Sequence, residues 1–286
     1  MNSIALLLVL CAALVHATWN LLIKRSGGGP VFLWMFTTLA SVVLVPSSIL
    51  LLVIRPDKLT LLGVVFIAGT TLLHLFYFLA LQRGYRSGDL SLVYPLARGL
   101  GPTLATLGAM IFLGERPSGL ALVGLLLVVL GTVLLAYRGR DATGRDPRAG
   151  IVYGVITGVL IATYTVWDKF AVSDLNVPPL VLESFACCGI SLMLTPHALA
   201  RWVEVKSVWR KNRTEVIGVA ILAPLSYILV LTAMSFTPLS YVAPTREISI
   251  LFAAMLGTRF LGEGQATRRM IAAASMVCGV IALALG

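Results

Sequence analysis

The chain alternates long apolar runs with short polar breaks, and the length of the runs decides what they are. A helix needs about 20 apolar residues to cross the hydrocarbon of a bilayer. Ten runs reach or approach that length: residues 3–23, 31–54, 60–82, 89–113, 118–137, 149–171, 179–200, 214–234, 238–260 and 267–285. Each predicts a transmembrane helix. The breaks carry turn or charge chemistry, as at Lys24-Arg25 with Gly27-Gly28-Gly29-Pro30, at Arg55-Pro56-Asp57-Lys58, and at Glu115-Arg116-Pro117. The first run lacks a basic leader and continues too far for a cleaved signal, so it reads as a retained helix 1.

Composition strengthens this reading. Of the 286 residues 58% are apolar and only 12% charged, against about 25% charged in soluble domains. Mean hydropathy is +0.96. No packed core hides that much apolar surface from water, so the fold class is all-α integral membrane and the lipid bilayer is its first partner. The net charge of +10 would point to nucleic acid in a soluble protein. Here the basic residues sit in the breaks, where anchoring explains them and no nucleic-acid partner is expected.

Their sidedness predicts an orientation. The odd-numbered breaks hold sixteen lysines and arginines, among them Lys24, Arg25, Arg83, Arg138, Lys206 and Arg210, whereas the even-numbered breaks hold only Arg55, Lys58, Arg116 and Lys169. The positive-inside rule then puts the odd breaks in the cytoplasm and both termini outside, across a bacterial-type inner membrane.

The two halves of the chain echo each other. Leu90-Ser91-Leu92-Val93-Tyr94-Pro95 recurs as Leu239-Ser240-Tyr241-Val242-Ala243-Pro244, and Leu113-Gly114-Glu115 recurs as Leu261-Gly262-Glu263. Trp19-Asn20 near the end of helix 1 matches Trp167-Asp168 near the end of helix 6. Three matches in one order predict a duplication: residues 1–137 as a first five-helix unit, 138–148 as a polar linker, and 149–286 as a second unit. Because five is odd, the second copy should run inverted, with a substrate site near the midplane between the repeats.

With these motifs the chain resembles the EamA family of the drug/metabolite transporter superfamily. The resemblance rests on the proline-bearing helices 4 and 9, each followed by Leu-Gly-Glu, and on His16-Ala17-Thr18-Trp19-Asn20 closing helix 1. It implies ten helices in an inverted repeat and the export or exchange of amino acids, nucleosides or similar metabolites. Family members are usually described with cytoplasmic termini, opposite to the charge count.

Buried charge marks the candidate site. Ionisable groups inside a membrane helix need a cavity or a partner. Arg98 lies deep in helix 4, and Arg246 and Glu247 lie deep in helix 9. Aligning Pro95 with Pro244 sets Arg98 opposite Glu247, which predicts either an ion pair between helices 4 and 9 or a charged cavity for an anionic or zwitterionic substrate. Pro95, Pro102 and Pro244 lack a backbone N–H and kink these helices. His16, Trp19 and Asn20 share a face at i, i+3 and i+4. His16 is a candidate for proton coupling or for a plain interhelical hydrogen bond. Tyr94 and Trp167 complete the expected substrate-binding set. His74, Tyr77 and Tyr164 are candidates for an aromatic lining.

Other polar residues read as structural. Asp168 and Lys169 are expected to be interfacial anchors, and Glu115 and Glu263 to cap helices 5 and 10. Gly150, Gly154 and Gly158 should let helix 6 pack closely, between the halves rather than in a dimer. Cys11, Cys187, Cys188 and Cys278 fall inside apolar runs and read as small buried hydrophobes with no metal-ligand spacing. No cofactor is expected. Walker, Gly-x-Ser-x-Gly and His-Glu-x-x-His motifs are absent from the sequence, so the chain is not expected to be an enzyme, and a gradient must supply its energy. The expectation is a secondary transporter of a small amino-acid-like metabolite, monomeric or homodimeric. The alternatives are a component of a flippase for lipid-linked substrates and an integral membrane enzyme.

Overall fold

The computed structural model describes residues 1–87, 90–136, 147–252 and 266–286. Within them the chain forms ten α-helices and no strand: α1 (Ser3–Ser26), α2 (Pro30–Ile54), α3 (Leu61–Ser87), α4 (Leu90–Phe112), α5 (Gly119–Ala136), α6 (Pro147–Ser173), α7 (Pro179–Ala200), α8 (Trp202–Phe236), α9 (Leu239–Arg246) and α10 (Ala266–Leu285). Six are long and apolar enough to cross a membrane, and Leu96–Phe112, Gly119–Leu134 and Met270–Leu285 are shorter apolar stretches. Large apolar side chains such as Val53, Leu61, Phe112 and Met270 stand exposed on the helix surfaces. Lipid accommodates them; water would not. The chain is an all-helical, multi-pass membrane protein.

Local chemistry explains where helices stop. Asn2 caps α1 by accepting from the Ile4 amide at 3.0 Å, and Lys24 and Arg25 lie in its last turn. Gly27, Gly28 and Gly29 then take φ of +78°, +61° and +112°, a turn that side chains with a Cβ would strain, and Pro30 opens α2. Helix α1 overruns its apolar run, continuing to Ser26, whereas α8 is two helices meeting at a kink at Asn212 (φ −129°, ψ 25°), the second of them beginning with the apolar run. Hydropathy marks the thickness of the hydrocarbon, whereas helical hydrogen bonds persist into the polar interface.

Helix 9 is the larger departure. Its run predicted one helix over 238–260, but α9 ends at Arg246, Glu247 forms a turn, and residues 248–252 are helical again. Pro244 offers no N–H to the carbonyl one turn back. The chain then tightens, with the Glu247 amide bonding the Pro244 carbonyl at 3.0 Å and the Ile250 amide bonding the Glu247 carbonyl at 2.9 Å. Residues 253–265, including Arg259 and the second Leu-Gly-Glu, lie outside the described residues, as do residue 137 and 138–146 of the polar linker.

Packing between helices follows membrane rules, with small residues at close approaches and hydrogen bonds between side chains. A Cβ on Gly154 would lie 2.9 Å from the Leu96 Cβ, and one on Gly158 would lie 2.8 Å from the Leu100 Cβ. These glycines therefore seat α6 on α4. A Cβ on Gly124 would stand 2.7 Å from the Gly279 carbonyl, which brings α5 and α10 together. Along α2 and α7, Trp34 Nε1 donates to Thr195 Oγ1 at 3.0 Å, Thr38 and Ser191 hydroxyls meet at 2.6 Å, and Ser48 and Ser184 hydroxyls meet at 2.7 Å. One expectation fails on the surface: Cys11 and Cys278 are exposed on their helices, and only Cys187 is fully buried.

Candidate functional site

Three helices bring the deepest charges together. Arg98 on α4 donates from Nη1 to Glu247 Oε1 at 3.3 Å, the ion pair that was one of the two alternatives drawn from aligning the prolines, and its Nη2 lies 3.2 Å from His16 Nε2 on α1. A guanidinium can only donate, so His16 accepts there and its ring is neutral, with the proton on Nδ1. Glu247 is 1% exposed, at the break after α9. Its Oε2 and the Nε of the adjacent Arg246, 7% exposed, are buried without a hydrogen-bond partner among the described residues. Trp19 closes the His16 side, its ring edge-on to the imidazole with centroids 4.6 Å apart and its Nε1 donating to Ser226 Oγ at 3.1 Å. Asn20 turns back to its own helix, donating to the His16 carbonyl at 3.0 Å.

A second cluster lies between α3, α6, α7 and α8. Asp168 was expected at the membrane interface; instead it is fully buried. Its carboxylate accepts from Thr70 Oγ1 at 2.5 Å and from the Tyr227 hydroxyl, and His74 Nε2 lies 3.3 Å from its Oδ2. A buried carboxylate must collect donors, and here they come from two other helices. The His74 ring stands edge-on to Tyr164 and Tyr227, and Tyr77 packs on Tyr164. Glu183 on α7 is also buried, accepts a weak bond from Cys187 Sγ at 3.4 Å, and lies within electrostatic reach of His74 and Asp168. Tyr164 and Tyr227 interact electrostatically with Arg246.

Sequence reasoning missed part of this set. Glu183 is an ionisable residue within the apolar run 179–200 and was not singled out from the sequence. Nothing in the spacing marked Thr70 or Tyr227.

Two expected helix-end roles are reassigned. Glu115 does not cap α5: its carboxylate accepts from the Leu239 and Ser240 amides at 2.6 and 2.8 Å, capping α9 from 124 residues away. Ser118, nearer the helix, serves α5 by accepting from the Ala121 amide at 3.1 Å. Lys169 is no interfacial anchor either. Its buried ammonium donates to the Met234 and Thr237 carbonyls at 2.6 and 3.2 Å, at the end of α8. Removing it from the even-numbered breaks widens the charge asymmetry. Glu263 lies outside the described residues.

The remaining candidates lie apart. Trp167 stacks on Phe66 with centroids 4.0 Å apart and donates from Nε1 to the Phe66 carbonyl at 2.9 Å. With Leu104, Gly108, Val159 and Phe170 it lines an apolar groove of about 690 Å³ between α3, α4 and α6. Only the backbone of Tyr94, within α4, is described. Among the described residues no group of three or more His, Cys, Asp or Glu is placed to hold a metal.

A sequence profile described as the EamA-like transporter family matches residues 3–137 and 148–285, nearly the whole chain. The chain belongs to the EamA-like transporter family. That places it among the membrane transporters of the drug/metabolite transporter superfamily. No curated protein matches it. A solved structure titled "Crystal structure of protein" is similar to this EamA-like chain with a TM-score of 0.78 and 21% identity, over 100% of this chain and 98% of the other. At that identity the likeness speaks for the fold alone.

Proposed function

We propose that this EamA-like protein is a secondary transporter of a small zwitterionic or anionic, amino-acid-like metabolite, held between two inverted five-helix repeats comprising residues 1–137 and 149–286. The observation that carries the reading is the pair Arg246 and Glu247. They are consecutive, of opposite charge and buried, and each retains a side-chain atom without a hydrogen-bond partner among the described residues. Leaving such atoms unpaired is costly in a low-dielectric interior. A substrate carboxylate satisfies Arg246 while its ammonium satisfies Glu247. Arg98, itself held by His16, orients Glu247 for that contact. Export or exchange across a bacterial-type inner membrane, with the 138–148 linker cytoplasmic, fits the asymmetry of basic residues.

The test is release of labelled amino acids from proteoliposomes holding the purified chain. Arg246→Lys, which keeps the charge but loses the planar fork, should lower the rate by about tenfold or more in a folded protein. Release confined to uncharged solutes, or full activity in Arg246→Lys, would overturn the reading. The apolar groove beside Trp167 supports a second reading, a flippase for lipid-linked substrates whose acyl chain lies there. It predicts lipid scrambling in the same vesicles, abolished by Gly108→Leu.

A further inference from the structure

We propose that the pocket at the end of α2 binds an anionic phospholipid, its headgroup held by Arg55 and Lys58. The pocket has a volume of about 490 Å³ and lies where α2 ends beside the loop joining α6 to α7. Arg55 follows the last residue of α2, and Pro56–Lys58 form a single 3₁₀ turn. The Lys58 amide closes that turn on the Arg55 carbonyl at 3.2 Å. Side chains three apart around such a turn lie over one another, and both of these line the pocket. Neither forms an ion pair with a carboxylate among the described residues. Asp57 and Asp174 are exposed nearby in sequence, but neither lines the pocket, and Asp174 accepts from Ser173 Oγ at 2.5 Å.

Below the cations the wall is apolar. Leu51 and Ile54 come from α2 and Val172 from α6. Val53 and Ile54 stand exposed on the flank of α2, so the apolar wall runs on without a break into the surface that meets lipid. Pro178 and Pro179 add the start of α7, which has no side-chain cap. The positive pole of that helix favours an anion in the same place. The seam beneath is fixed: Ser48 on α2 donates to the Leu180 carbonyl at 3.3 Å, seating the end of α2 on the first turn of α7.

Two cations above an apolar wall, at the end of a membrane-spanning helix, complement an amphiphile with an anionic head. A free phosphate would use the cations and leave the wall unmatched. The sidedness of charge sharpens the point. Among the four basic residues of the even-numbered breaks, Lys169 is committed to the Met234 and Thr237 carbonyls. Two of the other three, Arg55 and Lys58, meet in this one pocket, and Arg116 is exposed outside it. The site does not depend on the transport reading.

Native mass spectrometry of the full chain in detergent micelles, titrated with dioleoyl phosphatidylglycerol or dioleoyl phosphatidylcholine, tests it. The first phosphatidylglycerol should bind more tightly than phosphatidylcholine. Arg55→Gln combined with Lys58→Gln should weaken that first binding by about tenfold or more. Arg116→Gln removes the same charge from the same set of breaks but outside the pocket, and should leave it unchanged. Both cations stand at the surface, so these variants are expected to fold, and an unchanged thermal unfolding midpoint checks it. Undiminished binding in the double variant, an equal loss in Arg116→Gln, or phosphatidylcholine bound as tightly would overturn the proposal. Displacement of the lipid by inorganic phosphate would assign the pocket to a free anion and overturn its lipid occupant. None of these readings involves amino-acid release, so the lipid site and the substrate reading fail separately.

Discussion

The ends of α1 and α6 carry matching dipeptides, Trp19-Asn20 and Trp167-Asp168, with opposite consequences. Both indoles tie their helix to a neighbour, Trp19 through Ser226 on α8 and Trp167 through the Phe66 carbonyl on α3. Asn20 stays half-buried and bonds the carbonyl of His16 on its own helix. Asp168 is fully buried and draws Thr70 from α3 and Tyr227 from α8. An amide carries its own donor and can be satisfied locally. A carboxylate only accepts, so burial obliges other helices to supply donors. One atom of chemistry decides whether the position organises one helix or three.

The comparison breaks most visibly at Asp168. Asp168→Ala leaves the Thr70 and Tyr227 hydroxyls without their acceptor and should destabilise the protein by about 3–5 kcal/mol, the range for removing one member of a buried charged network. Thermal unfolding in detergent measures it, and a change under about 1 kcal/mol would refute the account.

Making the two ends alike should cost less. Asn20→Asp cannot donate to the His16 carbonyl and sets a half-buried carboxylate beside that oxygen; about 1–2 kcal/mol is expected. A stabilised Asn20→Asp protein would show that donors were waiting on α8 after all.

A third change separates local from long-range capping. Glu115→Ala should cost about 1–2 kcal/mol and speed hydrogen exchange at the Leu239 and Ser240 amides, leaving α5 unaffected. Faster exchange in α5 instead would restore the capping role that position in the sequence suggested.

The smallest effect belongs to Asn20→Ala, expected within about 0.5 kcal/mol of wild type, since the His16 carbonyl keeps its helical partner. A loss as large as that of Asp168→Ala would erase the contrast between the two ends.

Much of this molecule was legible without coordinates. Hydropathy is a local, additive property, and lipid leaves the backbone little choice but helices, so the apolar runs became helices and the family followed from the motifs. Arg98 and Glu247 could be paired on paper because each lies a fixed distance beyond a repeated proline, Pro95 and Pro244. Partners outside that internal register stayed hidden. Glu115 looked like a cap for the helix that follows it and instead serves α9, 124 residues on. Asp168 and Lys169 lay close enough to a run end to pass for surface groups, and Glu183 drew no reading at all. Whether a charge near a helix end reaches water or is sealed in depends on which helices cover it. Thr70, Tyr227 and the α8 carbonyls reach those charges only through the packing of α3, α6, α7 and α8. Hydrogen-bond donors from distant segments leave no periodicity to read, so tertiary structure alone decided where these charges went.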